Sequence, residues 1–310
     1  MSADRPLPAD QAVSADQAVP GGRPDFMNSG FTPADRAVMR FAATVLLVRD
    51  APGGVEVFMQ QRHAAADFGG MYVFPGGKVD PADSHGEVAA FCDGVDDRIA
   101  SAQLGLPDGG LAFWIAALRE CFEECGVLLA HDARDLPVDP AAAPARFHAY
   151  QQQLRDGGIG LADICRAEGM RLSVQRMLYF SHWITPEGPP RRYDTRFFIA
   201  EVAADQRAGH DEWESIDSVW TRPEVALARR AAGELQMIYP TLTTLESISG
   251  APDVATLLQR VRRGAHLPEW TPERGRQGMQ RVDYVSMPGV AEPAPASGDA
   301  ARAPARPDRG

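Results

Sequence analysis

Four cysteines in 310 residues, Cys92, Cys121, Cys125 and Cys165, are too few and too irregularly spaced for a zinc ribbon or a disulfide scaffold. They read as small core hydrophobes in a reducing compartment. A long apolar run is also missing. The best candidate, residues 111–130, is broken by Arg119, Glu120, Glu123 and Glu124, so no membrane span is expected. The N-terminus lacks the basic start and apolar stretch of a secretory signal, which makes a cytoplasmic location the default expectation. Positive charge is scarce too. With 31 Lys and Arg against 42 Asp and Glu, the net charge of -11 opposes general attraction to a phosphate backbone and argues against nucleic acid as a partner. A small phosphorylated ligand stays open, because a bound metal can reverse the local sign. No long internal repeat suggests a solenoid.

What is present is an ordinary globular composition, 45% hydrophobic, sufficient for one large core or two small ones. An Ala-Asp-Gln-Ala-Val phrase recurs near the start, and the end is mostly Ala, Pro, Gly, Asp and Arg. The expected organisation is a disordered tail over 1–35, a domain over 36–270 and a mostly disordered tail over 271–310. Within the domain, 41–48 and 55–59 read as strands of a hairpin about the turn at 51–54, and 71–74 as a third strand. Asp108 with Gly109 and Gly110 is placed to cap a helix from Leu111 to Cys125, which Gly126 stops. Residues 142–170 look helical with a break at Gly157-Gly158. Strands follow at 177–184 and 196–203, and helices at 223–234 and 253–263. Strands and helices mixed without a βαβ repeat predict an α+β fold.

Wound at 3.6 residues per turn, the 111–125 helix places Glu120, Glu123 and Glu124 on one face. Leu111, Trp114, Ile115, Leu118, Phe122 and Cys125 occupy the other, so burying that stripe is expected to aim the acids away from the packing partner. Like charges at these spacings cost roughly 0.2–0.5 kcal/mol per pair, and Arg119 alone offers local relief. A divalent cation would remove the conflict. Mg²⁺ prefers oxygen ligands and keeps some waters, which suits a few carboxylates together with substrate phosphate oxygens. A solvated acidic face is the plainer alternative for the three glutamates taken alone. Context favours chemistry: ahead of the helix lies Phe74-Pro-Gly-Gly-Lys78, a turn whose glycines allow close backbone approach to a metal or phosphate.

Gly77-x5-Asp83, then an insertion, then Arg119-Glu120-x-x-Glu123-Glu124-x-Gly126-Val127 resembles the Nudix box. The second half agrees at every defining position. The first half has Asp83 where the general pattern has Glu, and the insertion is far longer than usual. That split resembles one branch, which includes the vertebrate peroxisomal coenzyme A diphosphatases; 182–186 and 191–198 agree with it, and the likeness runs from about residue 41 to about 248. The resemblance implies an α/β/α sandwich with a helical insertion, about 84–110, inside the box. It implies that Glu120, Glu123 and Glu124 ligate or orient Mg²⁺, with Mn²⁺ as a substitute, assisted by a carbonyl near Gly76. Arg119 would hold the carboxylates by ion pairing. Many Nudix enzymes add an acid from a downstream loop, for which Glu214 is the candidate and Glu212 the runner-up.

Arg191, Arg192 and Arg196 form a basic cluster in an acidic chain, and Arg forks recognise phosphate bidentately. Alternation puts Arg192 and Arg196 on one strand face with Asp194, so substrate contact and an internal ion pair are both open. His63, His85, His182 and His210 form no recognisable ligand set. The implied activity is Mg²⁺-dependent cleavage of a small-molecule diphosphate, coenzyme A or an acyl derivative being the substrate suggested by the branch. Hydrolysis of a dinucleotide, nucleotide sugar or RNA end is an alternative, as is a non-catalytic nucleotide sensor. A homodimer is compatible with each.

Overall fold

The computed structural model describes residues 39–282 apart from 64–68, 188, 190, 204–207, 209–214 and 268–270. The strands are β1 (Met39–Ala51), β2 (Gly54–Arg62), β3 (Tyr72–Val73), β4 (Gly76–Lys78), β5 (Ala130–His131), β6 (Arg171–Leu172), β7 (Met177–Ile184), β8 (Arg192–Glu201) and β9 (Ser215–Thr221). The helices are α1 (Gly86–Ala89), α2 (Asp97–Leu104), α3 (Leu111–Cys125), α4 (Pro144–Arg155), α5 (Leu161–Glu168), α6 (Pro223–Ala231), α7 (Tyr239–Ile248), α8 (Val254–Arg262) and α9 (Pro272–Arg276). β5 and β6 form a small separate ladder. The main sheet runs β3-β2-β1-β8-β7, with β4 also on β1 and β9 on β2; β1 and β8 are parallel and the remaining pairs antiparallel.

Alternation along β1 explains the layers. Ala43, Val45 and Leu47 face one core with α2, α3, α4 and α5, while Leu46 and Val48 face the other with α6, α7 and α8. The result is the expected α+β, α/β/α sandwich. Trp114 anchors α3 by donating its indole N–H to the Met177 carbonyl at 3.0 Å and packing on Phe198 at 4.5 Å. Among the described residues, no helix is long and apolar enough to cross a membrane.

Several details depart from the sequence reading. The box helix is buried almost all round: Glu124 is 3% exposed and packs inward, so the acids do not share a solvent face. Its N-terminus is capped by Asp97 of α2 in place of Asp108, the Asp97 carboxylate accepting from the Gly109 and Leu111 N–H groups at 2.8 and 3.0 Å. The helical insertion over 84–110 is thus packed into the domain. Val88, Val95, Ala100 and Leu104 join the core of α3. Periodicity missed α7. Residues 271–282, assigned to the tail by composition, contain α9 and bring Met279 into the second core. The tails themselves, 1–38 and 283–310, lie outside the described residues. All four cysteines are free and buried, and burial pushes the Cys92 and Cys165 thiols up to about 12.

Candidate active site

The site begins where β4 is stitched to β1. Ala42, Ala43 and Thr44 pair with Lys78, Gly77 and Gly76, and the Val45 N–H donates to the Pro75 carbonyl at 2.9 Å. Two glycines are needed there for different reasons. Gly76 has φ 156°, and a Cβ on it would run into the Ala43 carbonyl oxygen. At Gly77 a Cβ would occupy the position of the Glu120 carboxylate. The two halves of the split box therefore meet in space.

Arg119 joins them. Its Nε and Nη2 donate to the two oxygens of Asp83 at 2.9 and 3.0 Å, and Nη2 also donates to the Lys78 carbonyl at 2.8 Å. Nη1 reaches Glu120 at 3.0 Å and Glu123 at 3.4 Å. Burial works to discharge this guanidinium, but the carboxylates of Asp83, Glu120 and Glu123 outweigh it and raise its pKa. Asp83 thus has a place that its spacing did not reveal: it is 2% exposed and grips Arg119 from behind. A further N–H, from Asp80 at 2.7 Å, holds it.

Glu124 points elsewhere. One of its oxygens accepts from the fully buried Gln60 amide at 2.6 Å and from the Gly76 N–H at 2.8 Å, and Arg62 stands 3.8 Å from the other. Among the described residues, no three His, Cys, Asp or Glu side chains stand together closely enough to hold a metal ion. The geometry accounts for this, since Glu120 and Glu123 share Arg119 while Glu124 is turned toward Gln60. The available donors, three carboxylates and the Gly76 carbonyl, are all oxygen, a chemistry that fits a hard divalent cation. Glu214 and Glu212 lie outside the described residues.

Beside these acids lies a cavity of about 610 Å³ whose lining is of two kinds. Glu120, Glu123, Arg62, Arg155 and Lys78, the only lysine in the chain, are charged, whereas Phe74, Trp183, Phe197, Ile238 and Tyr239 are aromatic or aliphatic. Arg155, at the end of α4, also donates to the Glu123 carbonyl at 3.3 Å. Neither Arg62 nor Arg155 stands out in a linear motif, because each is brought to the site from a different element.

The three arginines expected to bind substrate are not brought to this cavity. Tyr193, Thr195 and Phe197 line it, which turns Arg192 and Arg196 to the opposite face of β8. Arg196 is buried in an ion pair with Asp194 and lies over the Phe113 ring at 5.4 Å, while Asp194 also takes His182 Nε2 at 2.7 Å. Arg192 donates to the Thr185 carbonyl at 3.0 Å, and Arg191 is exposed before β8. Burial lowers the His182 pKa, and although burial alone would raise Asp194, its His182 and Arg196 partners bring it below the usual carboxylate range.

The model of the family described as the NUDT19 Nudix domain matches residues 87–248. The acyl-coenzyme A diphosphatase NUDT19 of Gallus gallus is 26% identical over 249 residues, covering 65% of this chain and 65% of that protein. The Homo sapiens protein of the same name is 26% identical over 190 residues, covering 57% of this chain and 50% of its own length. The chain therefore spans between half and about two thirds of these relatives. A crystal structure of a NUDIX hydrolase from Alicyclobacillus acidocaldarius is 28% identical with a TM-score of 0.57, covering 70% of this chain and 94% of that one.

Proposed function

The chain belongs to the NUDT19 Nudix domain family, and from that premise we propose a divalent-metal-dependent diphosphatase acting on coenzyme A or an acyl derivative. The products are a 3′,5′-adenosine bisphosphate and a phosphopantetheine. The observation that carries this reading is the junction of Gly76 and Gly77 with Glu120 and Glu124, locked by Arg119, beside a cavity lined by both charged and aromatic residues.

Nudix enzymes generally use divalent metal ions. Glu120, Glu123, Glu124 and the Gly76 carbonyl are the groups that would hold one here, Mg²⁺ or Mn²⁺. When bound, the cation offsets charge on the phosphate oxygens and makes water easier to deprotonate. The chain's own residues supply the rest. Arg119 positions Glu120 and Glu123 through its Nη1. Arg62, Arg155 and Lys78 place positive charge beside the phosphates, with the Arg forks suited to bidentate contact. Water attacks one phosphorus in line, and a carboxylate takes its proton, Glu120 or Glu214 being the candidates. Trp183, Phe197 and Tyr239 exclude water from the part of the substrate that does not react.

The test is purified protein with Mg²⁺ or Mn²⁺ offered coenzyme A, an acyl-coenzyme A, dephospho-coenzyme A and NADH. Coenzyme A and its acyl form are expected to show the highest kcat/KM, and Glu124→Gln to remove most turnover while the protein stays folded. A clear preference for either compound lacking the 3′-phosphate would overturn the substrate. No hydrolysis of any would overturn the enzyme reading.

A further inference from the structure

We infer that residues 277–280 are part of the substrate site, forming a strap along β7 from which the Gln277 amide contacts the substrate beyond its diphosphate. The box lines the cavity from β4, beside β1, whereas Gln277, which follows α9, lines it beside β7, with β8 between. None of these four residues falls within the 87–248 span that the family model matches.

The strap is held at defined points. The Ile184 N–H donates to the Gly278 carbonyl at 2.8 Å and the Gln280 N–H donates to the His182 carbonyl at 3.0 Å, so the segment extends the edge of β7. Between them Met279 bridges antiparallel to Trp183 and is 3% exposed in the second core. Gly278 makes the close approach possible. Its φ is 100°, and a Cβ there would collide with the Ile184 carbonyl oxygen and lie 3.4 Å from Pro186. Ile184 and Pro186 line the same cavity, so the contact that seats the strap also fixes where Gln277 stands.

The chemistry of that position differs from that of the carboxylates and arginines of the box side. Gln277 is a neutral amide able both to donate and to accept, next to apolar Ile184 and Pro186. Such a group recognises a neutral polar moiety, an amide or hydroxyl, in preference to a phosphate. On the coenzyme A reading, on which this assignment of the moiety rests, its partner is an amide of the pantetheine arm. Gln277 is thereby a specificity-determining residue, with Gly278 and Met279 positioning it.

Steady-state kinetics of full-length Gln277→Ala and Gly278→Val, on coenzyme A and on ADP-ribose, a diphosphate without the pantetheine arm, test this. Gln277→Ala is expected to raise KM for coenzyme A roughly three- to tenfold, the equivalent of one neutral hydrogen bond. It should leave kcat within about twofold, KM for ADP-ribose unaltered and the melting temperature in place, because the side chain is exposed. Gly278→Val should raise KM for both compounds as the wall is displaced. Unchanged KM for coenzyme A in Gln277→Ala, or an equal rise for both compounds, overturns the proposal. If Gly278→Val does not fold, Gln277→Ala decides alone. Should ADP-ribose be cleaved and coenzyme A not, the substrate reading fails by itself; the strap then stands if Gln277→Ala raises KM for ADP-ribose and falls if it does not.

Discussion

Replacing Asp83 with Asn tests the joint between the two halves of the box. The substitution keeps the size of a side chain that is 2% exposed, but removes its charge and one of the two oxygens facing Arg119 at 2.9 and 3.0 Å. Breaking a buried ion pair by neutralising one partner costs about 3–5 kcal/mol. Two features place this case at the lower end. Arg119 retains the Lys78 carbonyl at 2.8 Å, Glu120 at 3.0 Å and Glu123 at 3.4 Å. Burial, the largest influence on Asp83, also raises its pKa, so neutralising it recovers part of the desolvation cost. A loss of about 3 kcal/mol corresponds to a fall in Tm of about 6–12 °C for a domain of this size. Turnover should fall as well, because Arg119 is then free to shift against Glu120 and Glu123. Urea and thermal unfolding monitored by circular dichroism, with turnover on the same samples, provide the measurement. Melting of Asp83→Asn within about 2 °C of the parent would refute the reasoning.

Gly77→Ala should abolish most turnover with a small change in Tm, because the added methyl displaces the end of the flexible Glu120 side chain; wild-type kinetics would count against the placement of that carboxylate. Arg155→Ala is expected to raise KM and spare stability, whereas Arg196→Ala should cost about 3 kcal/mol of stability by leaving buried Asp194 with His182 alone; the opposite pattern in paired kinetics and unfolding would restore the β8 cluster as the phosphate site. His266, buried with Nε2 on the Phe180 carbonyl at 2.8 Å, has its pKa lowered to about 4, chiefly by burial. The folded state then binds fewer protons than the unfolded one, so its contribution is complete above about pH 6.5 and is lost as pH falls toward 4, about 2 kcal/mol being gone by pH 5. Urea midpoints from pH 7 to 4.5 should therefore decline less steeply in His266→Gln, and parallel curves would exclude this residue as the cause.

Much of the molecule was legible in the linear chain. Apolar runs at 41–48 and 177–184 marked their strands, and Gly126 did end the box helix, in the left-handed conformation at φ 69° that glycine tolerates. The order Gly77, Asp83, Arg119, Glu120, Glu123, Glu124 singled out residues that the fold brings together, because local spacing on a helix is set by the backbone whatever surrounds it. Other assignments needed the third dimension. Periodicity could not tell that Glu124 would be buried, since that depends on Gln60 and Gly76 arriving from other strands. Composition placed 271–282 in a tail, yet Met279 is held in the core by β7. The sharpest case is β8. Alternation correctly put Arg192, Asp194 and Arg196 on one face, but only the packing of α3 against that face decided that it is the closed one, leaving Tyr193, Thr195 and Phe197 to meet the cavity. A sequence determines which residues share a face; the elements that cover that face come from elsewhere in the chain, and they determine whether it meets water, core or ligand.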